Sequence, residues 1–313
     1  MRPLLGRRLL AVLMCLLPLP ALAAPDAYVS AWNALYRLDL ATARATPIGS
    51  GIGYNDVEGL AIAPDGTLYG VADGTAGAGS QVTDFLIRID TNTGTGTLIG
   101  PLEGLSGVGP NETGQLDYGL AFTCDGKLWA SSDTTGLLWE INPSTAGVRQ
   151  AGNTGAPISG LGGRGAMLYG IGVQNGFGDR AQQALYRIDP DTAAATRIGS
   201  LNVNDTLSSS GADFDTNGTL WATLDSQPPD LNRATRLARI DLASGAATVV
   251  GSITGIVENV SVRGMAIAPP RGCDAGGGTG GGTEIAQVPG PAAPALALLA
   301  LVAMLLGARR LRH

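Results

Sequence analysis

The chain has 313 residues, of which 47 are glycine; aromatics are few (5%), charge is low (15%), and apolar residues reach 44%. That mixture suits many short strands joined by tight turns and argues against a helical protein. Residues 1–24 and 289–313 each hold three arginines and no acid, which leaves the body with 14 basic against 26 acidic residues, a net charge of −12. A nucleic-acid binder needs a basic face, so that class is excluded.

In chain order, residues 1–23 read as a secretory signal peptide. A basic start precedes an apolar run and the small-residue cleavage site Ala21-Leu22-Ala23. Cys15 follows Met14, where a lipobox has a small residue, so it reads as an apolar member of the signal.

Residues 24–270 repeat two phrases. One runs "LYRLD", "LIRID", "LWEIN", "LYRID" and "LARID". Each copy ends on an acidic or amide residue followed ten positions later by glycine: Asp39/Gly49, Asp90/Gly100, Asn142/Gly152, Asp189/Gly199 and Asp241/Gly251. The other phrase is "EGLAIAPDGTLYGVAD" (Glu58–Asp73), with relatives at Tyr118–Asp133, Ser159–Gly172 and Ser210–Asp225. Together they predict four strands per unit at spacings near fifty residues, the signature of a propeller blade. Small residues in the first strand fit a crowded axis. Tyr69, Trp129, Tyr169 and Trp221 in the second strand are expected to pack between blades.

The first unit lacks its "GLAIA" strand, and the chain supplies one at the end, "RGMAIAPP" (Arg263–Pro270). The reading is therefore an all-β, five-bladed β-propeller closed by the C-terminal strand. Closure leaves no large exposed edge. A β-solenoid is the alternative, with repeats that are usually shorter.

Within a blade, the first-to-second and third-to-fourth turns are short and alike. The second-to-third loops and the blade connections differ in length, as in "GTAGAGSQVTD" and "PLEGLSGVGPNETGQ". Variation gathered on one face marks that face for binding. Its polar candidates near the channel mouth are Asn55, Asp56, Glu58, Asp117, Tyr118, Asn259 and Arg263; solvated loop residues are the plainer explanation of any one of them.

Chemistry motifs are scarce. The only histidine is His313, which removes Ser-His and Cys-His nucleophiles and histidine-ligated zinc. "DFDTNG" (Asp213–Gly218) imitates the start of a calcium loop, but Leu224 stands at its twelfth position, and a hairpin turn explains it better. Glu58 and Asp117 could form a metal or acid/base site in the channel. No cofactor is expected. Cys124 and Cys273 remain after signal removal, and an even pair in an oxidising compartment favours a disulfide.

Residues 271–287 form a glycine-rich linker, "GGGTGGGT" at its centre, that reads as a flexible tether. Residues 288–313 follow as an apolar run ended by arginines, at the lower length limit for a membrane helix, with Arg309, Arg310 and Arg312 on the cytoplasmic side. This tail, opening on Val288, Pro289, Gly290 and Pro291, resembles the PEP-CTERM class of sorting signals and its IPTL-type relatives. It departs from the type motif at Gly290, where that motif has Glu. The resemblance implies an exported protein of a Gram-negative bacterium. It would be held at the inner membrane by the C-terminal helix and then sorted to the periplasm, cell surface or exterior. The implied partners are an exosortase-like sorting enzyme and exopolysaccharide or a surface protein.

The blades also resemble the propeller lactonases, in which "EG" opens an inner strand and its Glu binds a divalent metal. Glu58-Gly59 matches that feature and Tyr118-Gly119 stands where the group has Asn-Gly. The favoured function is a non-enzymatic propeller that binds a protein or glycan partner through the variable-loop face. The alternative is a divalent-metal-dependent hydrolase of the lactonase type.

Overall fold

The computed structural model describes residues 26–75, 84–105, 117–174, 180–226, 234–257 and 260–272. They form one compact unit, Met1–Asp274; Ala275–His313 is a separate unit outside the described residues, as is residues 1–25 of the first. The segments expected to be signal peptide and sorting tail lie outside the described residues, as does all of the expected linker but Arg271 and Gly272. Among the described residues no helix is long and apolar enough to cross a membrane.

The described chain is a ring of five antiparallel blades. Blade 1 opens with β1 (Asp26–Ala31), β2 (Ala34–Asp39) and β3 (Arg44–Ile48). Blade 2 holds β4 (Tyr54–Ile62), β5 (Leu68–Thr75), β6 (Phe85–Ile89) and β7 (Gly96–Pro101). Blade 3 holds β8 (Tyr118–Phe122), β9 (Leu128–Ser132), β10 (Leu137–Ile141) and β11 (Val148–Asn153). Blade 4 holds β12 (Ile158–Arg164), β13 (Met167–Gly172), β14 (Ala184–Ile188) and β15 (Ala195–Ser200). Blade 5 splits its inner strand into β16 (Leu207–Ser209) and β17 (Ala212–Phe214), followed by β18 (Leu220–Ser226), β19 (Arg236–Ile240) and β20 (Ala247–Ser252). Finally β21 (Met265–Ala266) returns to β1, pairing Met265 with Val29 and Ala266 with Tyr28. The chain's last described strand thus completes its first blade, as the missing "GLAIA" copy predicts.

The repeated phrase is a device for locking blades together. Its acidic or amide residue caps the third-to-fourth turn: Asp90 Oδ1 accepts from the N–H groups of Asn92 and Thr93, and Asp241 Oδ1 from those of Ala243 and Ser244. Such Asx turns fix the chain reversal locally. The glycine ten residues on receives the equivalent turn of the next blade. A Cβ on Gly199 would stand 1.9 Å from the Ser244 carbonyl oxygen, so no side chain fits there.

The core consists of five apolar wedges, one between each pair of neighbouring blades. The second-strand aromatics fill them as expected. Tyr69 meets Phe122 of the next blade edge-on at 5.3 Å, and Tyr169 meets Phe214 at the same distance. Such pairs add about 0.5–1.5 kcal/mol beyond area burial. Where Gly59, Gly119, Gly211 and Gly264 of the inner strands meet at the axis, the gap between them is narrow.

The "DFDTNG" segment is a hairpin turn. Asp215 Oδ1 accepts from Asn217 N–H and Thr219 N–H, and its Oδ2 from the Trp221 indole. Asp213 Oδ2 accepts from Ile267 N–H at 2.7 Å and fastens the segment after β21 to blade 5. On the short-turn face, Cys124 N–H donates to Gly165 O, and Gly165 N–H donates to Arg271 O. The chain leaving the ring therefore reaches the turn beside Cys124. Cys273 itself lies outside the described residues.

Candidate functional site

On the opposite face, three carboxylates meet one guanidinium and two more stand close by. They come from places where blade 2 and its neighbours begin or end strands. Asp56 and Glu58 both lie in β4 and both reach Arg263, whereas the Asn55 amide reaches Thr75 O. Two strand irregularities aim them. Asp56 has φ 40, a left-handed value uncommon for a residue with a side chain. Between Val57 and Leu60, β4 carries one more residue than β5, a bulge that contains Glu58 and Gly59.

Arg263 enters from the segment before β21. Its Nη1 lies 2.6 Å from Glu58 Oε1, 2.7 Å from Asp117 Oδ1 and 3.3 Å from Asp56 Oδ2. One guanidinium nitrogen has two hydrogens, so Glu58 and Asp117 take them and Asp56 is left with the weaker contact. The other oxygen of Glu58, Oε2, accepts from Tyr118 N–H at 3.1 Å. Tyr118 also donates its hydroxyl to Asp84 Oδ2 at 2.7 Å. Asp73 completes the group, with one carboxylate oxygen within 4.8 Å of one on Asp56 and one on Glu58.

Charge is therefore poorly balanced. Burial, and then Asp117, push the Glu58 carboxyl well above its ordinary value, against the pull of Arg263. Burial raises Asp56 too. Burial, then Asp56 and Asp84, push Asp73 up to about 8; burial pushes Asp84 up to about 6 against the Tyr118 hydroxyl. Burial alone would lower Arg263, but Asp117, Glu58 and Asp56 outweigh it and hold the guanidinium above its usual range.

These shifts set a pH dependence. Asp73, Asp84 and Asp213 (pushed up to about 7 by burial) bind protons more tightly folded than unfolded. The native state thus holds more protons between about pH 4 and 8, and stability falls as pH rises through that window. The turn-capping acids Asp39, Asp90 and Asp241 are shifted down and lose their contribution only below about pH 4. The melting temperature is expected to be higher at pH 5 than at pH 8 by several degrees. Asp84→Asn, which cannot ionise, should shrink that difference in thermal denaturation followed by circular dichroism.

Of the residues nominated from sequence, Asp56, Glu58, Asp117 and Arg263 meet, and Tyr118 joins through its backbone and hydroxyl. Asn55 does not: its amide donates to Thr75 O at 3.1 Å. Asn259 lies outside the described residues. Sequence reasoning misses Asp73 and Asp84, although Asp73 ends the quoted phrase "EGLAIAPDGTLYGVAD". It also misses Trp32, which forms the β1–β2 turn, has φ 57, and is 53% exposed. The Trp32 carbonyl accepts from Val57 N–H, which places the turn beside Asp56 and Glu58. A bulky residue with positive φ is a conformational outlier.

The fold and this bowl define a five-bladed β-propeller protein with an acidic face. No protein-family model matches the chain, and no curated protein matches it. Among solved structures it is similar to a chain in the crystal structure of a nidogen/laminin complex. That match has 14% identity and a TM-score of 0.46, over 78% of this chain and 98% of the other. It is also similar to TolB from Acinetobacter baumannii, with 15% identity and a TM-score of 0.44, over 74% of this chain and 54% of TolB.

Proposed function

We propose that the chain is an exported, non-enzymatic propeller that binds a protein or glycan partner through the face carrying the acidic bowl. The observation that carries this reading is Trp32, an exposed indole held in a strained conformation beside the Asp56–Glu58 segment of the acidic bowl. Aromatic side chains at a rigid surface are frequent binding anchors. Strain of about 1–3 kcal/mol persists where it serves a site. The carboxylates offer acceptors in excess of the donors around them. They favour a donor-rich partner, a basic protein surface or a neutral or amino sugar, and repel an acidic polysaccharide. Full-length protein screened on glycan and peptide arrays should find such a ligand. Trp32→Ala should weaken it about tenfold or more, with an unchanged melting temperature. No ligand on either array, or full binding by the variant, would remove this reading.

Export rests on the signal peptide at residues 1–23 and sorting on the tail at 288–313, whose proposed partners are an exosortase-like enzyme and the inner membrane. A Cys124–Cys273 disulfide belongs to the same reading, supported by the approach of Arg271 to Gly165 beside Cys124. It would close a loop of about 150 residues, contributing roughly 3–5 kcal/mol on the entropy model. Denatured, unreduced protein from the periplasm should show no reactive thiol; two per chain would overturn the bridge.

The second reading is a divalent-metal-dependent hydrolase. The nearness of Asp56, Glu58 and Asp73 favours it. Hydrolysis of a lactone in a substrate panel, lost together with bound metal in Glu58→Gln, would establish it over partner binding alone.

A further inference from the structure

Aligning the blades by strand register exposes one pair of positions that differs between them. In blade 5 the β18–β19 ladder runs from Leu220 opposite Ile240 to Leu224 opposite Arg236, which brings Asp225 opposite Thr235. In blade 2 the β5–β6 ladder runs from Leu68 opposite Ile89 to Ala72 opposite Phe85, which brings Asp73 opposite Asp84. The third-strand positions correspond in their backbones as well. Asp84 O accepts from Leu102 N–H just as Thr235 O accepts from Ile253 N–H.

In blade 5 the acid is fully served. Asp225 Oδ1 accepts from the Thr235 hydroxyl at 2.7 Å, and Oδ2 from the hydroxyls of Ser261 and Ser208 at 2.8 and 3.1 Å. In blade 2 the cross-strand partner is a second acid. Like charges directly opposite on a sheet repel. Asp73 Oδ1 and Asp84 Oδ1 are both buried and have no hydrogen-bond partner among the described residues. Asp84 is 0% exposed and its charge bears directly on Asp73. A buried acceptor left unserved is costly, and here two stand on facing ladder positions, with Asp73 beside Asp56.

Glu58 is not the centre of this deficit. Arg263 donates to its Oε1 and Tyr118 N–H to its Oε2, so both oxygens of that carboxylate already have donors. The uncommitted oxygens are off the axis, between blade 2's second and third strands. Their donor set is oxygen alone: the single histidine is His313, and Cys124 lies on the opposite face. Hard divalent cations of the calcium class take all-oxygen sites with several carboxylates, completed by water or a ligand.

We propose that Asp73 and Asp56 ligate a calcium-class divalent cation off the propeller axis, with the buried Asp84 carboxylate behind Asp73 supplying the remaining fixed negative charge. Arg263 holds Glu58 and Asp117 at 2.6 and 2.7 Å but Asp56 only at 3.3 Å, so of its three partners Asp56 is the one most available to the ion. The ion's open positions face the bowl mouth, where a partner's oxygens could complete its coordination. This goes beyond the partner-binding reading and stands without it, because ion binding is measured on the protein alone.

The test uses full-length, chelator-treated protein in detergent, with calcium chloride as the probe in calorimetry and thermal denaturation. One ion per chain is expected, with the melting temperature raised by about 5–10 °C at a hundredfold excess over Kd. Asp73→Asn, which is isosteric and relieves repulsion, should fold at least as well and weaken binding by at least about tenfold. Asp84→Asn should weaken it by about tenfold or more, the size expected of outer-shell groups. Asp225→Asn, the served counterpart in blade 5, should bind as the unaltered protein does. No calcium-dependent heat or melting shift at millimolar concentration would overturn the proposal. So would binding retained in Asp73→Asn and lost in Glu58→Gln, which would move the ion to the axis and support the hydrolase reading instead.

Discussion

Arg263→Met is expected to lower the melting temperature at pH 8 by about 6–12 °C, corresponding to roughly 3 kcal/mol for a domain of this size. The guanidinium is the only cation touching Glu58, Asp56 and Asp117 among the described residues, and Glu58 is almost fully buried. Removing it strands three carboxylates in a site that already holds Asp73 and Asp84. Leaving a buried charge unpaired costs far more than forming the pair gains. Protonation limits the damage, since Glu58 already binds its proton more tightly than usual. The loss should therefore be smaller at pH 5 than at pH 8. Adding Glu58→Gln to the Arg263→Met variant should restore part of it, because the amide carries no charge and its oxygen still accepts from Tyr118 N–H. Thermal denaturation of the two single variants and the double variant at both pH values gives the coupling energy directly. A loss below about 2 °C at pH 8 would mean that the three acids are neutral without Arg263, and that the guanidinium does not organise the bowl.

The ring was legible in the sequence because its instructions are local. An Asp whose Oδ1 takes the N–H groups two and three residues on writes the same turn wherever it occurs. A glycine ten residues later makes the slot for the next blade's copy of that turn. The missing inner strand in the first unit and the extra one after Arg263 follow from counting. Most of the bowl was legible for a similar reason: Asp56 and Glu58 lie within an inner strand and Asp117 and Arg263 just before one, so their place near the axis follows from strand order. Asp73 and Asp84 were not. In the sequence Asp73 looks like Asp133 and Asp225, each the last residue of the same phrase. What separates Asp73 from Asp225 is the residue across the ladder, Asp84 against Thr235, and that information exists only once the strands are in register. Asn55, nominated from the same loop face, does not join the group that meets Arg263; its amide donates to Thr75 O. Trp32 carries no sequence signal, because its meaning lies in its positive φ and its exposure.

Gly264→Ala is expected to be as damaging, by a different route. Each blade gives one glycine to the axis: Gly59, Gly119, Gly160, Gly211 and Gly264. A Cβ on any of them would run into the next blade's inner strand. At Gly264 it would lie 2.3 Å from the Glu58 carbonyl oxygen, 2.4 Å from Ser30 Oγ and 2.8 Å from Leu60 Cγ. Its φ is not left-handed, so the demand is for space alone. The nearest of those atoms is backbone, and Ser30 Oγ is engaged by Gly264 N–H at 3.2 Å. None can swing aside as the end of a flexible side chain would. The strand that must yield is β21, which holds to β1 through only two residue pairs. Overpacking of this kind costs about 1–3 kcal/mol and sometimes more. The upper end, a fall of about 6–12 °C, is expected here. Gly251→Ala is the control: its new methyl would meet Ala43 Cβ at 3.8 Å, an ordinary contact, and should shift the melting temperature by no more than about 2 °C. Because Arg263 immediately precedes Gly264, displacing β21 should also draw the guanidinium out of the bowl. Gly264→Ala should then share the steeper pH dependence of Arg263→Met, whereas a purely local clash would lower the melting temperature equally at pH 5 and pH 8. A variant that melted with the unaltered protein at both would show that β21 does not close the ring against blade 2.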